Sequence, residues 1–131
     1  MEAVLKPREP EEVFKEALAG VKNAALPYPV LNIFIPGDLK ITGPEVDTGA
    51  LREYVSVTFA RAEQAGVEII VFGSGGARGI PEGFDLGLAH EQLVSFSAMA
   101  GEIASGNRVT IALEHLNKGE CNVLNAIGEC A

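Results

Sequence analysis

The chain has 131 residues, of which 47% are apolar and 21% charged, and its formal net charge is −8. This length predicts a single domain, residues 1–131 without an internal boundary, with enough apolar side chains for a core. The negative charge argues against nucleic-acid binding, no stretch approaches the ~18 apolar residues of a membrane span, and the polar N-terminus predicts a cytoplasmic location.

Helical and strand-like apolar patterns alternate along the whole chain. Three helical stripes and three strand-length runs follow one another in the order 14–21, Val30–Ile35, 51–62, Val67–Phe72, 93–103 and Val109–Leu113. Gly66 and Gly106 stand where glycine commonly ends a helix, and a fourth helix is expected to begin near Cys121.

Strict alternation with short connections predicts an α/β fold of parallel β/α units. Such units occur in open doubly wound sheets and in closed (β/α)₈ barrels, and a barrel typically needs about 250 residues. Because the chain has about half that length and opens and closes with helical segments, we expect a partial (β/α)₈ (TIM) barrel of about three strands.

A glycine-rich loop, Gly73–Gly79 (GSGGARG), follows the second predicted strand. It fits neither dinucleotide nor P-loop spacing, because Arg78 occupies the third glycine position of the former and no lysine follows for the latter. Two other interpretations stay open: a sharp turn that uses glycine for unusual backbone angles, and a polar pocket lined by backbone amides and Arg78.

Glu114 ends the third apolar run. Side chains alternate along a strand, so Glu114 should share a face with Thr110 and Ala112, while Ile111 and Leu113 face the helices. A carboxylate at the carboxyl end of a parallel strand is where barrels place metal ligands and acid/base groups, although a solvated loop carboxylate is the simpler alternative. The polar residues that follow it could bind sugar hydroxyls or cap a helix: Asn117, Glu120, Asn122 and Asn125.

Three stretches resemble the xylose isomerase-like superfamily of sugar phosphate isomerases and epimerases. They are Leu31–Gly37 (LNIFIPG), Val71–Arg78 (VFGSGGAR) with Pro81–Phe84, and Thr110–Asn125 (TIALEHLNKGECNVLN). The last is the most specific, because a glutamate at a strand end, an asparagine three residues later and a Glu-x-Asn occur together. The resemblance runs in one register from about Glu12 to the end of the chain.

The resemblance implies a barrel enzyme that isomerises or epimerises a sugar or sugar phosphate with a divalent metal, Mn, Mg or Zn. By position, Glu114 matches the family's first metal-binding and acid/base glutamate. Glu120, which we group with it as catalytic, matches a polar residue that often contacts the substrate. Asn117 and Arg78 match motif positions and are expected to bind the substrate.

Two features depart from the family pattern. His115 stands where proline is common, and the remaining ligands, an Asp, a His and a second Glu, come from later strands of the barrel. The three strands would then be the third to fifth, and the metal site incomplete. We therefore expect a fragment of a metal-dependent sugar isomerase/epimerase that is inactive without the missing barrel half.

Two other functions remain as alternatives. An isolated three-stranded parallel sheet leaves edges and one face uncovered, which favours a non-enzymatic α/β domain that associates with itself as a homo-oligomer. A small nucleotide-binding module that uses the loop Gly73–Gly79 ranks last, because the glycine spacing misses both standard patterns.

Overall fold

The computed structural model describes residues 1–130, which form helices and one three-stranded parallel sheet. In chain order the elements are α1 (Glu2–Leu5), α2 (Glu11–Lys22), β1 (Val30–Leu31), α3 (Thr48–Ala65), β2 (Ile69–Phe72), α4 (Gly75–Arg78), α5 (Leu86–Gly106), β3 (Thr110–Leu113) and a short 3₁₀-helix (Ile127–Glu129). Within residues 1–130, no helix combines the length and the apolar character needed to cross a membrane.

The two long helices each begin at an aspartate. The Asp47 carboxylate accepts a hydrogen bond from the backbone N–H of Ala50 at 2.9 Å, and Asp85 accepts one from Leu88 at 2.7 Å. Each aspartate therefore satisfies an N–H that the helix itself leaves unpaired.

The sequence predicts the C-terminal end of one long helix correctly and that of the other incorrectly. Gly66 ends α3 in the left-handed conformation, with φ of 74°, as predicted. Gly106 was predicted to do the same for α5 but is instead its last helical residue, and the left-handed residue is Arg108, with φ of 54°. The turn is displaced because the backbone N–H of Val109 reaches back to the carbonyl of Ala104.

The core lies between the helices and one face of the sheet. Ile70 and Phe72 of β2 are buried on this face, and the parallel register places Ile111 and Leu113 of β3 beside them. Four phenylalanine rings pack together at its centre, with centroids 5.1–6.1 Å apart: Phe34, Phe59, Phe72 and Phe96. Since Phe59 belongs to α3 and Phe96 to α5, both long helices cover the same face.

The opposite face of the sheet is uncovered. Val30 is 49% exposed, Thr110 is exposed, and Ile69, Val71 and Ala112 are partly buried. The strands are parallel in the order β1-β2-β3, so the predicted α/β class with three parallel strands is confirmed. Consecutive order with helices on one face occurs in barrels and in half of a doubly wound sheet, so the closed barrel stays a prediction.

The first strand is shorter than predicted. Residues Val30–Ile35 were expected to form it, but only Val30 and Leu31 pair with β2. Ile33 adopts φ of 60°, outside the strand region, and turns the chain out of the sheet. Phe34 and Ile35 nevertheless enter the core, where both are buried.

The predicted fourth helix near Cys121 is absent from residues 114–130, which contain turns and the 3₁₀-helix. Asparagine side chains bind backbone groups here in place of helical hydrogen bonds. Asn125 donates to the carbonyls of Leu116 and Cys121 at 2.7 and 2.8 Å, and Leu124 is left-handed, with φ of 57°. Asparagine favours such turns because its amide competes with the helical pattern.

Candidate functional site at the carboxyl ends of the strands

Three loops meet where the parallel strands end, and hydrogen bonds join the first loop to the second. The loop after β1 supplies Thr42, whose hydroxyl donates to the carbonyl of Gly79 at 2.8 Å, and Lys40, whose ammonium donates to that of Gly76 at 2.9 Å. The backbone N–H of Ile35 donates to the hydroxyl of Ser74 at 2.8 Å. The glycine-rich loop after β2 is therefore held in place from the β1 side.

The segment after β3 holds the same loop from the other side. Asn122 accepts from the N–H of Ile80 at 2.9 Å and donates to the carbonyl of Ile80 at 2.8 Å. The segment also passes so close to Gly75 that a Cβ there would lie 2.9 Å from the carbonyl oxygen of Glu120. Glycine is thus needed at this position because no side chain fits.

Glu114 follows β3 directly and lies at the edge of the open sheet face. Its backbone N–H donates to the carbonyl of Phe72 at 3.1 Å, which extends the β2–β3 pairing by one step. Its side chain lies across Gly73, the residue after β2, and a Cβ on Gly73 would overlap Oε2 of Glu114. The side chain is exposed, so its carboxylate is accessible to a proton, a metal or a ligand.

The other two residues predicted after β3 pair with each other. The amide of Asn117 donates to the carboxylate of Glu120, while its oxygen accepts from the N–H of Gly119 at 2.9 Å. Both residues are exposed in a turn. Both side chains are accessible to a ligand. The hydrogen bond between them also stabilises the turn, so a purely structural role explains these residues equally well.

Arg78 is fully buried, with no exposed surface. Its guanidinium donates to the backbone carbonyl of Phe72 at 3.0 Å and to that of Glu114 at 2.8 Å, and its Nε has no partner. A direct substrate contact, which we predicted, does not fit a side chain without exposed atoms. The observed contacts join the ends of β2 and β3 instead.

The glycine-rich loop contains one helical turn, α4, where the sequence led us to expect only a loop. The N–H groups of Ala77 and Arg78 donate to the carbonyl of Ser74, and that of Gly79 to Gly75. Phosphate cradles need N–H groups that point at the ligand. These three groups are used inside the turn, whereas the N–H groups of Gly75 and Gly76 donate to no backbone carbonyl of residues 1–130. The structure thus shows a sharp turn here, and the argument against a nucleotide site remains the glycine spacing.

The described residues do not form a complete metal site. Among residues 1–130, no three His, Cys, Asp or Glu side chains are grouped closely enough to hold an ion. Hard divalent cations take six or more oxygen ligands, of which Glu114 could supply one or two. Glu114 alone cannot hold such an ion, and no further ligands of the described residues are grouped around it.

Two grooves of the surface lie away from Glu114. One, of about 600 Å³, lies between α5 and the segment after β3 and is lined by His90, Lys118 and Asn125 among others. The second, of about 640 Å³, lies between α3 and α5 beside Leu51 and Met99. Because Glu114 lines neither groove and lies on the open sheet face, a site around it would need a further wall.

Comparisons with family models, with curated proteins and with solved structures found no match. The fold and the strand-end loops define an α/β protein with a three-stranded parallel sheet, a helix-covered face and an exposed carboxylate at the edge of the open face.

Proposed function

We propose that this chain supplies the acid/base carboxylate, Glu114, of a metal-dependent sugar or sugar phosphate isomerase/epimerase. The observation that supports this proposal is the place of Glu114: exposed, at the carboxyl end of β3, with its side chain across Gly73 on the open sheet face. In barrels this edge and this face hold the catalytic groups. The sequence resemblance assigns the same residue the same role.

The proposed chemistry is a proton transfer between neighbouring carbons of a sugar. The Glu114 carboxylate removes a proton from the carbon beside the carbonyl, which leaves an enediol-type intermediate. In isomerisation it returns the proton to the neighbouring carbon, while a second proton passes from the hydroxyl oxygen to the former carbonyl oxygen. Epimerisation would need a second proton donor on the opposite face of the sugar. An accessible carboxylate with a fixed backbone suits this role. Asn117 and Glu120, exposed three and six residues later, are proposed to bind the sugar hydroxyls.

A divalent metal would polarise the carbonyl and hydroxyl oxygens of the sugar. Residues 1–130 do not group enough ligands to hold it by themselves. The further ligands would come from a second copy of the chain or from a complementing barrel half. Taken alone, the chain is therefore expected to bind such a metal weakly and to show no measurable turnover.

The first test is a titration of the protein with MnCl₂, followed by the NMR line broadening that paramagnetic Mn²⁺ causes. We expect weak binding that broadens the signals of Gly73 and Glu114 first and is lost in Glu114→Gln. A matched control is Glu102→Gln, which removes an exposed carboxylate near the end of α5, away from the carboxyl ends of the strands. Equal Mn²⁺ binding by wild type and Glu114→Gln would remove the basis of the proposal.

The second test concerns the chemistry. A mixture of aldoses and ketoses in D₂O, with Mn²⁺ and a complementing barrel half, should take up deuterium at the carbon beside the carbonyl. Glu114→Gln should abolish this exchange, and Glu102→Gln should preserve it. Exchange that survives Glu114→Gln would assign the proton transfer to another residue.

A self-associating α/β domain without enzymatic activity is the second candidate, and the open sheet face favours it. Val30 is 49% exposed and pairs with Ile69, which like Val71 is only partly buried. Thr110→Lys would place a charge on this face at an exposed position. Ser97→Lys, which places the same charge at an exposed position of α5, is the control. Sedimentation velocity should show a homo-oligomer that only Thr110→Lys dissociates; a wild-type monomer at high concentration would contradict this function.

A further inference from the structure

A buried positive charge lies beside the proposed site without a negative partner. Arg78 is fully buried, and no carboxylate of residues 1–130 lies within 4.0 Å of its nitrogens. Transferring a charged group from water to a protein interior is unfavourable unless hydrogen bonds compensate it. The two carbonyls that it contacts belong to Phe72 and Glu114, so the compensation comes from the ends of β2 and β3.

We propose that Arg78 is a positioning residue for Glu114, acting together with the space that Gly73 leaves; the functional meaning of this inference rests on the proposed function. The carbonyl of Phe72 accepts two hydrogen bonds, from the N–H of Glu114 at 3.1 Å and from Nη1 of Arg78 at 3.0 Å. The carbonyl of Glu114 accepts from Nη2 at 2.8 Å. Both backbone groups of Glu114 are thereby fixed one residue beyond the end of β3.

The planar guanidinium of Arg78 makes both contacts at once, through Nη1 and Nη2. Its nitrogens form a rigid fork that reaches two acceptors, whereas a lysine ammonium is a single point at the end of a flexible chain. Arg78 is itself held in place: its N–H donates to the carbonyl of Ser74 at 3.0 Å, and its carbonyl lies 3.2 Å from the hydroxyl of Thr42, which donates to the neighbouring carbonyl of Gly79 at 2.8 Å.

Gly73 leaves the space in which the carboxylate of Glu114 lies. It follows Phe72 as Glu114 follows Leu113, so the parallel register makes the two residues neighbours. A Cβ on Gly73 would overlap Oε2 of Glu114 and lie 3.6 Å from Cδ2 of Leu116. Arg78 thus fixes the backbone of Glu114, and Gly73 provides the space for its side chain. Catalytic groups need such support, because small displacements lower rates strongly.

NMR spectroscopy of the metal-free protein tests this inference without any sugar or metal. The readouts are the Glu114 side-chain rotamer, from three-bond couplings, and the cross-peak between the Glu114 γ protons and the Gly73 α protons. Wild type should show one rotamer and a strong cross-peak. Arg78→Lys should average the rotamers and weaken the cross-peak, and Gly73→Ala should shift Glu114 to another rotamer.

The matched control is Arg108→Lys. The exposed Arg108 also donates hydrogen bonds from two of its nitrogens, in this case to the carboxylate of Glu63 at 2.9 and 2.7 Å. It should leave the Glu114 signals unchanged. Unaltered Glu114 rotamers in Arg78→Lys would overturn the inference. If Arg78→Lys does not fold, the NMR signals of the Arg78 Nη protons in wild type test the inference instead. Separate, slowly exchanging signals would support the positioning role, and averaged signals would overturn it.

A Mn²⁺ titration of the same variants separates this inference from the proposed function. If both hold, Arg78→Lys should lower Mn²⁺ affinity by about tenfold, as loss of a supporting contact typically does. A wild-type protein that shows the expected Glu114 rotamer but binds no Mn²⁺ would sink the proposed function and leave the positioning intact. Mn²⁺ binding by a wild-type protein with averaged Glu114 rotamers would contradict the positioning role of Arg78 and leave the proposed function intact.

Discussion

The side-chain amide of Asn122 pairs with both backbone groups of Ile80, accepting from its N–H at 2.9 Å and donating to its carbonyl at 2.8 Å. The two residues are 42 positions apart. The amide thus imitates one step of strand pairing between the glycine-rich loop after β2 and the segment after β3. The surroundings of Glu114 therefore depend on a side chain rather than on regular secondary structure.

Replacing Asn122 with alanine should release this segment from the loop. Because both backbone groups of Ile80 lose their partner, we expect the free energy of unfolding to fall by about 1–2 kcal/mol. Urea unfolding followed by circular dichroism measures the change. Asn23→Ala, at an exposed position after α2, is the matched control and should change stability much less. Equal losses in the two variants would show that the Asn122–Ile80 pair contributes nothing.

Arg61 should hold the N-terminal helices on α3. This buried guanidinium donates to the carbonyls of Leu5, Lys6 and Glu9 and pairs with the carboxylate of Glu11. Arg61→Met should lower the free energy of unfolding by about 3 kcal/mol, because hydrogen bonds to a buried charge are lost together. Hydrogen exchange in α1 should accelerate most.

The matched control for Arg61 is Arg52→Met, which removes an exposed arginine from the same helix. It should leave both stability and exchange nearly unchanged, since exposed charges contribute little. If exchange in α1 were equally slow in Arg61→Met and wild type, Arg61 could not be what holds the N-terminal helices in place.

Phe34 should be essential to the core although it lies outside any regular element. It is fully buried, and its ring contacts those of Phe59, Phe72 and Phe96. Phe34→Ala should lower the free energy of unfolding by about 3–5 kcal/mol, because it leaves a cavity among these rings. Val94→Ala, at a position 69% exposed on α5, should cost far less in the same denaturant titration. A loss below about 1 kcal/mol for Phe34→Ala would contradict its burial.

Periodicity predicted the sheet and its covered face because both depend on local patterns. The alternation around Ile111 and Leu113 assigned these residues to the helix side, where the register now places them beside Ile70 and Phe72. It also assigned Glu114 to the open face. The segment from Leu31 to Ile35 shows the limit of this reasoning. The apolar run predicts the burial of Phe34 and Ile35 correctly, but Ile33 is 66% exposed and its backbone leaves the strand region.

The contacts around Glu114 could not be predicted, because they join residues far apart in sequence. The resemblance predicts that Arg78 contacts the substrate, while the residues of the loop alone leave a sharp turn and a polar pocket open. The burial of Arg78 follows from the carbonyls that it contacts, one of them 36 positions away at Glu114. Asn122 was open to two interpretations, a sugar contact or a helix cap. Its amide instead pairs with the backbone of Ile80, a residue far away in sequence.

Tyr54 should make stability depend on pH in the alkaline range. Burial, reinforced by the negative charge of Glu2, raises the pKa of the Tyr54 phenol well above its ordinary value, although the nearby Arg8 opposes this. Between the ordinary value of about 10 and the raised one, the folded protein keeps a proton that the unfolded chain releases. This contribution is fully present below about pH 10 and is lost as the pH rises above it.

Urea unfolding of wild type and Tyr54→Phe at several pH values from about 8 to 11 measures this contribution. Below about pH 10 the two curves of stability against pH should run parallel, because the phenol is protonated in both states of the wild type. Above it, wild type should lose stability more steeply, since only its unfolded state gains a phenolate at this position. The difference in near-ultraviolet absorbance between the two folded proteins should show no phenolate from Tyr54 in this range. Parallel stability curves throughout would mean that the phenol of Tyr54 is as well solvated in the folded protein as in the unfolded chain.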